Sequence, residues 1–171
     1  VGNVLLRDDG AGVRALPLLK SSKQIQKGID CVDGGVAGLS LLPLIEGYVH
    51  LIIIDAVKFG QKPGTIKRFA WRKGLIAPKT KGSTHNLGVF ELLAFAAIAG
   101  KCPKTIIIGI EPGDISPGLE LTPAVKAALP RAVLTIKKEL EKITAKIAKK
   151  ESHARVPRRA KNNRRNKRRD V

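Results

Sequence analysis

Methionine is absent from this 171-residue chain, and tyrosine and tryptophan occur once each. The opening Val1-Gly2-Asn3 reads as the end of a strand and its exit loop, so a strand of about 5–6 residues is expected upstream. Aromatics are 4% of the residues, too few to build platforms on which successive nucleic-acid bases stack. The two cysteines, Cys31 and Cys102, lack metal-ligand spacing. Both read as small apolar residues in a reducing cytoplasm. No apolar run approaches the roughly 20 residues that span a bilayer, and the first residues do not form a signal peptide. A cytoplasmic protein with no membrane partner is the expectation.

Acidic residues are also scarce, 14 against 32 lysines and arginines, for a net charge of +18. Residues 151–171 hold nine of those basic residues and two of the acids. The charge predicts salt-sensitive attraction to polyanions and names no specific nucleic acid. We therefore expect an α/β body over residues 1–150 and a basic, disordered tail over 151–171.

What the chain does have is Leu51-Ile52-Ile53-Ile54-Asp55-Ala56, an uninterrupted aliphatic run that reads as a strand buried on both faces. Thr105 to Ile110 reads as a second such strand. Thr65 to Trp71 alternates as an edge strand carrying Lys67 and Arg68 outward, and Ile29 to Asp33 reads as a short strand. Helices are expected over Gly12–Leu19, Gly38–Glu46 and from the end of Ser83-Thr84-His85-Asn86 to Ala99. A longer one follows the N-cap Thr122 and Pro123. Its apolar residues Leu129, Val133, Ile136, Leu140, Ile143 and Ile147 form a narrow stripe whose first half suits packing on a sheet. Pro17 is awkward inside the first helix. Strands alternating with helices predict a three-layer α/β sandwich, with a mostly parallel twisted sheet flanked by helices and its first strand missing.

Ligands of open α/β sheets bind at the carboxyl ends of the strands. Loops carrying Asp8 and Asp9, Asp55, and His85 are expected at that rim. Two carboxylates and an imidazole suit a borderline divalent transition metal with open coordination positions. A rival motif overlaps the first loop: Gly10-Ala11-Gly12-Val13-Arg14-Ala15 fits Gly-x-Gly-x-x-Ala, with Asp30 or Asp33 about 20 residues on. A Rossmann-like dinucleotide-binding protein using Gly10 and Gly12 is thus the alternative. Asp8 and Asp9 would confront a pyrophosphate with the wrong charge.

Five further segments carry a resemblance. They are Val1-Gly2-Asn3-Val4-Leu5-Leu6-Arg7-Asp8-Asp9-Gly10-Ala11-Gly12, Asp33-Gly34-Gly35, Ile54-Asp55-Ala56 with Pro63-Gly64-Thr65, Ser83-Thr84-His85-Asn86, and Gly109-Ile110-Glu111-Pro112. In this order they make the chain similar, from Val1 to about Ile143, to the hydrogenase maturation endopeptidases of nickel-iron hydrogenases. The resemblance implies a metal-dependent endopeptidase that removes a carboxy-terminal extension from a hydrogenase large-subunit precursor after nickel insertion. It implies Asp9, Asp55 and His85 as catalytic and metal-binding residues, with nickel supplied by the precursor. It also implies Asp33, Gly34 and Gly35 as substrate-binding residues. Family members often carry Glu at the first metal position, one methylene longer than Asp9. A monomer acting on that precursor is the expected assembly.

Overall fold

The computed structural model describes residues 1–21, 28–36, 38–73 and 88–154. Strands β1 (His50–Ala56), β2 (Ile66–Ala70) and β3 (Lys104–Ile110) form one sheet in the order β1-β3-β2. β3 pairs in parallel with β1 and antiparallel with β2, so the described sheet is mixed. The register sets Ile53 opposite Ile107 and Ile54 opposite Ile108. Because side chains alternate faces, these two rungs feed two different cores.

On one face, helices α1 (Ala11–Lys20) and α4 (Pro123–Ala154) pack with Ile54, Ile108 and Ile110 through Ala15, Leu19, Val125 and Ala132. On the other, α3 (Val89–Ile98) packs Phe90 and Leu93 against Ile53 and Ile107. Each isoleucine so buried contributes about 1.5–3 kcal/mol. These are the three layers expected of the sequence. No described helix is long and apolar enough to cross a membrane.

α1 runs through Pro17 to Lys20, losing only the bond Pro17 cannot donate to the Val13 carbonyl. Of its expected inward residues, Leu19 is buried, Val13 and Leu16 are half-buried, and Leu18 is exposed. The helix expected over Gly38–Glu46 is instead a 3-10 turn, Gly38–Leu41, followed by the single turn α2, Leu42–Ile45. Gly47, at φ 85°, ends it. Ile29 to Asp33 forms no strand, because no described strand lies beside it to complete a ladder. β1 is correspondingly an edge and only Ile53 and Ile54 are fully buried in it.

The stripe on α4 behaves as its spacing requires. Leu129, Val133 and Ile136 are buried, Leu140 and Ile143 half-buried and Ile147 exposed. The start of the helix expected after His85, and the basic tail beyond Ala154, lie outside the described residues.

Candidate active site

The parallel pairing of β1 and β3 brings Asp55 and Glu111 out at the same rim. The loop before α1 closes over that rim. Arg7 adopts φ 46°, a left-handed conformation that costs a non-glycine residue about 1–2 kcal/mol. It is held there by donating its N–H to the Gly118 carbonyl at 2.9 Å and by a 3.2 Å ion pair from its Nε to Asp114. The turn sends the next two carboxylates in opposite directions.

Asp8 is fully buried and points away from the rim cluster. Its Oδ2 accepts from the amides of Gly113 (2.8 Å) and Asp114 (3.0 Å) and from the Thr122 hydroxyl (2.8 Å), and its Oδ1 from the Thr122 amide (2.7 Å). It anchors the start of α4 to the loop, and its lone pairs are spent. Glu111 is spent in the same way, accepting from the amides of Phe59 (2.6 Å) and Gln61 (3.1 Å).

Asp9 and Asp55 differ. Asp9 accepts one amide, from Asn3 at 2.8 Å. Burial first, and then the negative charge of Asp9, push the Asp55 carboxyl up to about 7, against the opposing pull of the Val1 ammonium and the Ala56 amide. Two acids with few donors therefore lean on each other at the rim. That donor set fits a divalent cation, whose charge would relieve the repulsion between the two carboxylates. His85, the third residue of the expected set, lies outside the described residues, and no metal-binding cluster of three is formed among those described.

Asp33, Gly34 and Gly35 border the same corner. The Gly35 amide donates to Asp33 Oδ1 at 2.9 Å, and the Gly35 carbonyl accepts from Gly2 at 2.9 Å. A side chain at Gly34 would come within 2.7 Å of Val1 Cγ1. Gly12 allows an even closer approach: a Cβ there would lie 2.3 Å from the carbonyl oxygens of both Ile54 and Val1. That contact gives the glycines of the Gly10 loop a packing role, and nothing in the geometry favours a dinucleotide.

Residues 13–139 match the family model HycI, hydrogenase maturation protease. This chain belongs to that family. It is 31% identical over 163 residues to the hydrogenase expression/formation protein HupD of Rhizobium leguminosarum bv. viciae, covering 92% of this chain and 79% of that one. It is 33% identical to the hydrogenase 2 maturation protease of Escherichia coli K12, covering 78% and 82%. The structure of the hydrogenase maturating endopeptidase HybD from E. coli superposes with a TM-score of 0.71 at 29% identity, over 82% of this chain and 88% of that one. The fold and the family expected from the sequence both stand, and the family is one of endopeptidases.

The sequence missed the anchoring role of Asp8, which was grouped with Asp9. A signal was present in principle: Thr122-Pro123 marks a helix start, and a helix start attracts a carboxylate. Sequence alone could not say which carboxylate.

Proposed function

We propose that the protein removes the carboxy-terminal extension of a nickel-iron hydrogenase large-subunit precursor once nickel has been inserted. Asp9, Asp55 and His85 recognise the nickel carried by the precursor, and Asp33, Gly34 and Gly35 engage the chain around it. The protein acts in the cytoplasm as a monomer, and nickel arrives with the substrate. The observation that supports this reading is the Asp9–Asp55 pair at the rim, where burial first, and then the charge of Asp9, lifts the Asp55 carboxyl to about 7.

A cation entering between them gains both carboxylates and removes their repulsion. Asp55 lies on the strand face that α3 covers, since it follows Ile53 by two residues. The chain leading into α3 carries His85, which supports including it with the two acids.

The test is incubation with nickel-loaded and nickel-free precursor, followed by mass spectrometry. Loss of the extension from the loaded form alone is expected. Asp55→Asn and His85→Ala should fold and reduce that cleavage more than about 100-fold, as removal of a group acting at the reacting centre does. Cleavage of both precursor forms, or near wild-type cleavage by both variants, would remove the proposal.

A further inference from the structure

Lys67 and Arg68 are adjacent basic residues of β2 that point to opposite faces of the sheet. Arg68 is spent, since its guanidinium pairs with Glu139 of α4 at 3.0 Å. Lys67 makes no ion pair among the described residues. Its amine lies instead 5.0 Å from the centre of the Phe59 ring. A lysine that only guards an edge strand reaches into water, whereas this one leans inward over the sheet.

The register fixes where it leans. Gly109 of β3 pairs with Asp55 of β1 on one side and with Lys67 of β2 on the other. Asp55, Gly109 and Lys67 are therefore one rung across three strands, on the face that carries Ile53, Ile107 and Phe69. Only glycine fits in the middle. A Cβ at Gly109 would fall 2.4 Å from Phe59 Cζ, so the ring rests on the bare backbone of β3, between the acid and the amine. Phe59 is held there from two sides. Its amide donates to Glu111 at 2.6 Å, and its ring meets Phe69 edge to face with centroids 6.1 Å apart. The ring is only half-buried.

Three chemistries thus stand in line at the rim: a carboxylate on β1, an aromatic ring over β3 and an ammonium on β2. Neighbouring strands lie about 4.8 Å apart, so the line is about 10 Å long, the span of about three extended residues. The charge at its amine end is of one sign. Residues 56–73 hold six lysines and arginines and no aspartate or glutamate. Lys58 and Lys62, in the same loop as Phe59, are exposed.

We propose that Lys67, seated on Phe59, is a substrate-binding residue that takes a carboxylate of the precursor's carboxy-terminal extension. This rests on the processing reaction and adds what the extension must contain: an acidic side chain about three residues from the position held at Asp55. A cation at the rim acids and a carboxylate at Lys67 each meet the opposite charge. A segment of reversed polarity is repelled at both ends, so the two ends together set the direction in which the chain crosses the rim.

Cleavage kinetics of wild type, Lys67→Arg, Lys67→Ala and Lys67→Glu test it. The substrates are nickel-loaded precursor and the same precursor with Asn and Gln replacing the Asp and Glu of its extension. On the unaltered precursor KM should rise about threefold for Lys67→Ala and about tenfold for Lys67→Glu, as loss and then reversal of a half-exposed charge pair do. Lys67→Arg should stay close to wild type, and kcat should hold within about twofold throughout. The neutralised extension should raise the wild-type KM about as much as Lys67→Ala does, and the Lys67 variants should then differ little from one another. Equal KM for wild type and Lys67→Glu would overturn the proposal, as would an extension that contains no acidic residue. A fall in kcat or in the melting temperature with KM unchanged would also overturn it, because the lysine would then only support the fold. If wild type cleaves neither precursor, calorimetric binding of the nickel-loaded form separates the two claims. Weaker binding by Lys67→Glu would keep the subsite and remove the reaction, and equal binding would remove both.

Discussion

Asp8 and Asp9 are neighbours in the chain and opposites in the fold. Asp8 is enclosed by four donors, whereas Asp9 has one amide and the charge of Asp55 nearby. A buried carboxylate whose donors come from fixed backbone is part of the scaffold. A carboxylate with few donors and a like charge beside it is held ready for something it does not yet have. The largest expected effect tests the first half of that contrast. Asp8→Ala should cost about 4 kcal/mol or more, because it leaves three amides near a helix start without an acceptor, at about 1–3 kcal/mol each. Urea denaturation measures it, and a loss under about 1 kcal/mol would erase the distinction.

Next in size is Gly12→Ala, which probes the sparsely bonded corner through its backbone. The new Cβ would meet two carbonyl oxygens, of Ile54 and Val1, at 2.3 Å. Neither is a flexible side-chain end, so α1 must move away from β1, at about 2–3 kcal/mol. Thermal melting reads the loss, and precursor cleavage should fall with it because the rim is carried on the same contact.

Asp55→Asn sharpens the comparison from the other side, since here removal of a charge should help. The folded pKa, about 7, stands above the ordinary 3.8, so the native state holds a proton that the unfolded chain has already released. Asp55 therefore costs nothing below about pH 4, and its ionisation destabilises the fold progressively as pH rises toward 7. Wild type and Asp55→Asn should be similar near pH 4, with the variant more stable by about 1–2 kcal/mol at pH 7.5. The gain falls short of the full linkage because Asp55 is only half-buried and solvent screens its charge. Denaturant titrations at both pH values decide it. A variant less stable than wild type at pH 7.5 would make Asp55 a scaffold residue like Asp8.

Much of this contrast was hidden in the sequence for a physical reason. Local periodicity and capping reveal what neighbours in the chain do to each other, so β1, β3 and the Thr122-Pro123 helix start were legible. The runs Ile52-Ile53-Ile54 and Ile106-Ile107-Ile108 permit little else than strands packed on both faces. Asp8 takes its donors from residues 105 to 114 positions away, and no local pattern announces a pairing of that range. Ile29 to Asp33 failed for a related reason. A strand is completed by its neighbour, and none lies beside it among the described residues. Strand ends and family resemblance lead to the expectation that Asp9, Asp55 and His85 share one rim, and His85 lies outside the described residues. The inward turn of Asp8 depended on the left-handed Arg7, which nothing in Leu6-Arg7-Asp8 foretells.

Glu139 offers the finest test, because it is a buried acid satisfied by cations in place of amides. It accepts from Arg68 at 3.0 Å and from Lys142 at 2.7 Å. The hydrogen bond from Lys142, then that from Arg68, lowers its pKa below the ordinary 4.5 despite its burial. A lowered carboxylate stabilises the fold above its unfolded value and loses that contribution as pH falls through its folded one. Arg68→Ala should therefore destabilise by about 0.5–1 kcal/mol at pH 7 and by less near pH 3, since the partner side chains are largely exposed and mobile. This is opposite in sign to the pH trend expected of Asp55. If both acids gave the same trend in matched titrations, fixed donors and mobile cations would be interchangeable here, and the contrast drawn from Asp8 and Asp9 would lose its physical basis.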